Sequence, residues 1–152
     1  LAGELGLSQS DGPEEYIPTI QGFGEKIGVA FQLVDDVLDL SALEQETGKK
    51  AGTDIRRGVA TLPMLLLHQE AAAYSGGEEL LQQLELGREG QLDEDIFARA
   101  IQQLYSHEVT RRTMEYACRF GNSAVAHLAG LPQDLITKAL HRFADQVVKR
   151  RN

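Results

Sequence analysis

Only one cysteine, Cys118, occurs in the 152 residues. A single chain therefore forms no internal disulfide and assembles no thiolate metal centre. Its place in a helical repeat predicts a buried, reduced thiol. Basic residues are in the minority: 15 Lys and Arg face 23 Asp and Glu, a net charge of −8 at pH 7. That balance argues against nonspecific nucleic-acid binding, and the short basic end Lys149-Arg150-Arg151 does not reverse it. No apolar run approaches the roughly 20 residues of a membrane span, and no secretory core is visible. A cytoplasmic location is the expectation. Strand signals are nearly missing as well, with no alternating Val/Ile/Thr run.

What is present is helical periodicity. With 42% apolar and 25% charged residues, the chain has the composition of one ordinary globular domain. Leu1-Ala2-Gly3-Glu4-Leu5-Gly6 reads as the tail of a helix already under way, so further sequence is expected upstream. After a loop at Ser8–Pro13, apolar positions recur at Ile17, Ile20, Gly24, Ile27, Phe31, Val34 and Leu38. Gly22, Gly24 and Gly28 lower helix propensity there and suggest the close approach of a neighbouring helix or ligand. A polar loop from Ser41 to about Ala60 precedes Thr61-Leu62-Pro63, which reads as a hydroxyl cap and an early proline opening a buried segment, Met64–Ala73. Loops at Tyr74–Glu79 and Gly87–Gln91 bracket a short helix with Leu80, Leu81 and Leu84. Asp93 caps a helix with Ile96, Phe97, Ala100, Ile101 and Leu104 inward, and the next helix faces the core with Val109, Thr113, Ala117, Phe120, Ala124 and Leu128. Pro132 opens the last helix, with Leu135, Ala139, Phe143 and Val147 inward. The fold class is all-α: an antiparallel bundle of five or six helices in one segment, 1–152.

The stretch that can carry chemistry is Gly28–Asp39. Its polar residues Gln32, Asp35, Asp36 and Asp39 fall within an arc of roughly 100° on a helix that is apolar elsewhere. Three carboxylates on one stripe near a helix C-terminus repel one another and meet the negative end of the helix dipole. A solvated acidic face is the bland alternative, but such a face does not normally narrow to one stripe. Hard oxygen ligands without His or Cys suit Mg²⁺, which takes one or two carboxylates and completes its shell with water and substrate phosphates. Cations for a phosphate follow in the next loop: Lys49, Lys50, Arg56 and Arg57, with Gly48 and Gly52 allowing close backbone approach.

In order, the chain carries Gly28-x-x-Phe31-Gln32-x-x-Asp35-Asp36-x-x-Asp39, Gly48-Lys49-x-x-Gly52-x-Asp54 and Gly58-x-x-Thr61-Leu62-Pro63. This resembles the second aspartate-rich region of the trans-prenyl diphosphate synthases. Ala124-x-x-x-Leu128-x-x-Leu131-Pro132 and the closing helix extend the likeness over nearly the whole chain, though only to the C-terminal half of a usual synthase. The resemblance implies an antiparallel helix bundle of the isoprenoid synthase type. It also implies a prenyltransferase that condenses an allylic diphosphate head-to-tail with isopentenyl diphosphate, with Mg²⁺ as cofactor, usually as a homodimer. By position it makes Asp35 a direct Mg²⁺ ligand, and Asp36 and Asp39 ligands directly or through water. Lys49 would contact the allylic diphosphate, Asp54 would support the metal's hydration shell, and Phe31 and Gln32 would lie beside isopentenyl diphosphate. Asp35 and Lys49 are the catalytic pair on this reading.

Two departures bear on that expectation. Gly58-Val59 stands where many members have a lysine after the glycine, and no first aspartate-rich motif occurs in the chain. The chain alone is therefore expected to be inactive, with the N-terminal half supplied upstream or as a separate chain. Two other readings stand beside this one: a noncatalytic regulatory or structural subunit of a heteromeric synthase, and a class I terpene cyclase.

Overall fold

The structure is a computed structural model that describes residues 14–41 and 50–150. The loop at Ser8–Pro13, together with Gly48 and Lys49, lies outside the described residues. Regular structure among the described residues is helical throughout: a 3₁₀ turn at Glu14–Tyr16, then α1 (Ile17–Ser41), α2 (Thr53–Arg56), α3 (Leu62–Glu70), α4 (Gly77–Arg88), α5 (Glu94–Tyr105), α6 (Glu108–His127) and α7 (Leu135–Lys149). Short 3₁₀ turns follow α3 at Ala71–Ala73 and α6 at Leu128–Gly130. No helix among the described residues is long and apolar enough to cross a membrane. The chain divides into two compact units, residues 35–114 and the remainder, and α1 and α6 each contribute turns to both.

In the unit made of residues 1–34 and 115–152, the core gathers Phe23, Ile27 and Ala30 of α1 with Ala124, Leu128, Ala144 and Val147. The inward face of α1 is thus Phe23-Ile27-Ala30-Val34, not the expected face through Gly24 and Phe31. Gly24 is exposed and Phe31 is 40% exposed. Apolar residues surround most of this helix, so two stripes at helical spacing compete, and the one with small Ala30 at its centre is the one that packs. Of the three α1 glycines, Gly22 alone meets a neighbour: a Cβ there would lie 2.6 Å from the His127 ring, while those at Gly24 and Gly28 would face open space. The last helix also departs from expectation. It starts at Leu135, capped by Asp134, and buries Thr137, Ala144 and Val147. Leu135 is 84% exposed, and Ala139 and Phe143 are exposed too. Cys118 is free and half-buried rather than buried.

In the unit of residues 35–114, α4 packs against α5, α2 and α3. Ile55, Leu67, Leu80, Leu84, Ile101 and Leu104 are fully buried there. The α4–α5 approach is close enough that Gly87 touches the Phe97 ring where a Cβ would otherwise stand. Gly87 thus lies in α4, not in the expected loop, and leaves room for the Phe97 ring. Asp93 caps α5 as expected, its Oδ1 accepting from the Asp95 N–H at 2.9 Å. The expected inward residues of α5 are buried, apart from half-buried Ile96. The short helix α2 lies inside what the sequence reads as a loop.

Candidate functional site

The last turns of α1 hold Asp35, Asp36 and Asp39, and the structure gives each a different setting. Asp35 is half-buried. Asp36 is buried at 7% exposure, and its Oδ2 accepts from the Leu62 N–H at 3.0 Å. Asp39 is half-buried, with Oδ2 accepting from the Asp54 N–H at 3.0 Å and its backbone carbonyl accepting from the Gly52 N–H at 2.9 Å. Leu62 is the first residue of α3, and Asp54 lies in the first turn of α2. Two of the three aspartates therefore close the N-termini of the next two helices, where unpaired N–H groups and the positive dipole end favour a carboxylate.

This changes the role of two neighbours. Thr61 stands at the N-cap of α3, but its hydroxyl makes no cap bond, contrary to the expected hydroxyl cap. Asp36 instead holds the first N–H of α3, that of Leu62. Gly52 is needed for α2 to start where it does: its φ is +68°, and a Cβ there would come within 2.7 Å of Ile101. The expected reason for this glycine was approach to an anion, whereas the backbone conformation and the Ile101 side chain already require it.

Negative charge accumulates around Asp39. Burial pushes its carboxyl above the usual carboxylate range, and repulsion from the Asp54 and Asp36 carboxylates adds to this, while the N–H groups of Asp54 and Thr53 pull the other way. Among the described residues no set of three or more His, Cys, Asp or Glu side chains converges on one point. The donor chemistry fits a hard divalent cation such as Mg²⁺, which accepts one or two carboxylates and takes the rest of its shell from water and phosphate oxygens. It does not form a closed all-protein cage.

The expected cations separate into two groups. Lys50 and Arg56 both pair with Glu94, at 3.5 Å and 2.8 Å. Arg56 also donates from Nε to the Ala51 carbonyl and lies 4.6 Å from the Phe97 ring centroid. These two side chains fasten α2 to α5, and the Glu94 carboxyl is held below its ordinary range chiefly by the Arg56 hydrogen bond. Arg57 is exposed. Glu94 was not singled out from the sequence, and no local pattern marks it, because its partners lie 38 residues away and more.

Phe31 and Gln32 are exposed on α1 in the other unit. The Phe31 ring lies under the Arg150 guanidinium, 5.3 Å from its centroid, at a cleft of about 550 Å³ that Phe143, Val147 and Lys149 also line. Arg150 is a second residue the sequence reading missed. Its position at the chain's basic end carries no signal that it reaches α1.

Comparison with known proteins places this arrangement. The polyprenyl synthetase family profile matches residues 1–104. A nonaprenyl diphosphate synthase from Mycobacterium tuberculosis is 33% identical over 98% of this chain and 43% of its own length. Heptaprenyl diphosphate synthase component 2 from Geobacillus stearothermophilus is 27% identical over 97% of this chain and 43% of its own. Among solved structures, polyprenyl synthase from Caulobacter crescentus, complexed with calcium and isoprenyl diphosphate, superposes with a TM-score of 0.82 at 30% identity. It covers 99% of this chain and 45% of its own. The all-α isoprenoid synthase fold expected from the sequence is thus the fold observed, and the chain spans less than half the length of the relatives it matches. On the extent of the profile match and the identity to full-length synthases, the chain belongs to the polyprenyl synthetase family.

Proposed function

We propose that this chain is the C-terminal part of a trans-prenyl diphosphate synthase, a Mg²⁺-dependent prenyltransferase that condenses an allylic diphosphate head-to-tail with isopentenyl diphosphate. The observation that carries the reading is the charge at the end of α1. Asp36 and Asp39 are fastened to helix N-termini, and the Asp39 carboxyl stays above its ordinary range because of burial and neighbouring carboxylates. A divalent cation relieves that repulsion. Two solved relatives are described as complexes with calcium and isoprenyl diphosphate, which supports a divalent cation as the partner of these oxygens.

When bound, the cation supplies Lewis-acid stabilisation of the charge that develops on the departing diphosphate. The protein's own part is placement. Asp35 is a direct ligand, and Asp36 and Asp39 bind directly or through water from positions their backbone bonds restrict. Asp54 orients the hydration shell. Lys49, outside the described residues, contacts the allylic diphosphate, and Phe31 and Gln32 flank isopentenyl diphosphate. Lys50 and Arg56 hold α2 against α5 and do not take part.

The 152-residue chain is inactive alone on this reading and works with the remaining part of the synthase, in a homodimer or with that part on a separate chain. A second reading, a noncatalytic subunit of a heteromeric synthase, draws support from the relative named as a component of a heptaprenyl synthase. Calorimetry with Mg²⁺ and a nonhydrolysable allylic diphosphate tests the site. Binding that requires Mg²⁺ and is lost in Asp35→Ala and weakened in Lys49→Ala supports it, and binding indifferent to both substitutions rejects it. Turnover by the isolated chain with both substrates rejects the inactivity. A reconstituted synthase that stays fully active with Asp35→Ala favours the noncatalytic subunit.

A further inference from the structure

Thr61 has the extended backbone of a helix N-cap, with φ −99° and ψ 154°, yet its side chain caps nothing. The residue is 1% exposed, and its Oγ1 is the one buried side-chain oxygen or nitrogen among the described residues without a hydrogen-bond partner. A buried hydroxyl with no protein partner is unfavourable. A threonine at this position ordinarily accepts from the second or third helical N–H. The second residue of α3 is Pro63, which has none, so Met64 offers the available partner. The first helical N–H, that of Leu62, is already held by Asp36 at 3.0 Å. The start of α3 therefore has two cap oxygens, one engaged and one idle. They are neighbours, because covalent geometry keeps Thr61 Oγ1 within about 5 Å of the Leu62 nitrogen.

We infer that Thr61 is a reserve cap and so a positioning residue for Asp36. When a divalent cation draws the Asp36 carboxylate off the Leu62 N–H, the Thr61 hydroxyl turns onto the Met64 N–H and keeps the helix start closed. Asp36 then exchanges a structural bond for a ligand bond without fraying α3. The inference rests on the reading of Asp35, Asp36 and Asp39 as the cation-binding carboxylates. It adds a residue outside the acidic cluster that sets how readily the cluster releases its internal bond.

The test uses the ¹⁵N-labelled 152-residue chain with Mg²⁺ and inorganic pyrophosphate as probes, following amide exchange at Leu62 and Met64 together with thermal melting. In the wild type, the probes should deprotect the Leu62 amide and protect that of Met64. Thr61→Val should melt at or above the wild type without Mg²⁺, since the idle hydroxyl is gone. It should lose the Met64 protection and bind Mg²⁺ about three- to tenfold more weakly, the worth of one hydrogen bond. Thr61→Ser should restore both, and Thr61→Ala repeats the test if valine is not accommodated. Wild-type affinity in Thr61→Val, or unchanged Met64 exchange while the wild type binds Mg²⁺, overturns the inference and leaves the site reading intact. An Asp35→Ala chain that responds to Mg²⁺ like the wild type, or a wild type that does not respond, overturns the site reading and this inference with it.

Discussion

The starts of α5 and α7 and the starts of α2 and α3 are closed by the same chemistry, an aspartate oxygen on a backbone N–H, but with opposite reach. Asp93 caps α5 across two residues and Asp134 caps α7 across three. Asp39 reaches α2 across 15 residues, and Asp36 reaches α3 across 26. A local cap is modular: it serves its own helix and leaves the rest of the chain indifferent. A remote cap ties the end of one helix to the beginning of another, so losing it is felt at both. The exposed pair follows the first scheme, and the pair on the acidic stripe follows the second. Two of the three carboxylates proposed to meet a cation, Asp36 and Asp39, are thus also the two that join α1 to the helices that follow.

That contrast can be broken by substitution, starting with the largest expected effect. Asp36→Ala leaves the Leu62 N–H at the start of a partly buried helix without its acceptor and is expected to cost about 1–3 kcal/mol in urea denaturation. A cost no greater than that of a local cap would show that the remote bond carries no special weight. Gly52→Ala forces a side chain into the left-handed region and against Ile101, and should cost about 1–2 kcal/mol by the same measurement. An unchanged stability there would mean that α2 can start without the bend that brings Asp54 to Asp39. Asp93→Ala removes a local, exposed cap and should cost about 1 kcal/mol.

The smallest effect belongs to Glu70, a half-buried carboxylate that reaches far along the chain without closing a helix start. Its carboxylate pairs with Arg112, 42 residues away, and accepts from the Tyr74 hydroxyl at 3.0 Å. The Arg112 hydrogen bond, then that of Tyr74, holds the Glu70 carboxyl below its usual range. A carboxyl whose pKa falls on folding adds stability that is present above its unfolded value and lost as pH drops through the folded one. The melting-temperature difference between wild type and Glu70→Gln should therefore be small and level near neutrality. It should shrink on acidification below the ordinary glutamate range, about pH 4.3. A large difference at neutral pH would show that long reach stabilises even a carboxylate that closes no helix.

How much of this was legible in the sequence depends on how far each partner lies along the chain. Asp93 and the inward face of α5 were readable because cap and periodicity are both local. The faces of α1 and α7 were readable only in part: Ile27, Val34 and Val147 are buried as expected, while Phe31, Leu135 and Phe143 are exposed. Each helix carries apolar residues on more than one stripe, and the choice of Ala30 over Phe31, or of Ala144 over Phe143, is made by neighbouring helices in space. The aspartates were legible as a charged stripe, and the order of motifs around them pointed to the family. Their service as caps was hidden, because a backbone N–H leaves no mark in a sequence and its owner stands 15 or 26 residues on. The diversion of Lys50 and Arg56 to Glu94 was hidden for the same reason.

Asp39 grips the chain twice, through its carbonyl to Gly52 and through its carboxylate to Asp54. Like a buckle, it sets where the strap returns whatever the length of strap between. The start of α2 is therefore set by the end of α1. A shift at the acidic end of α1 is felt at once at the start of α2.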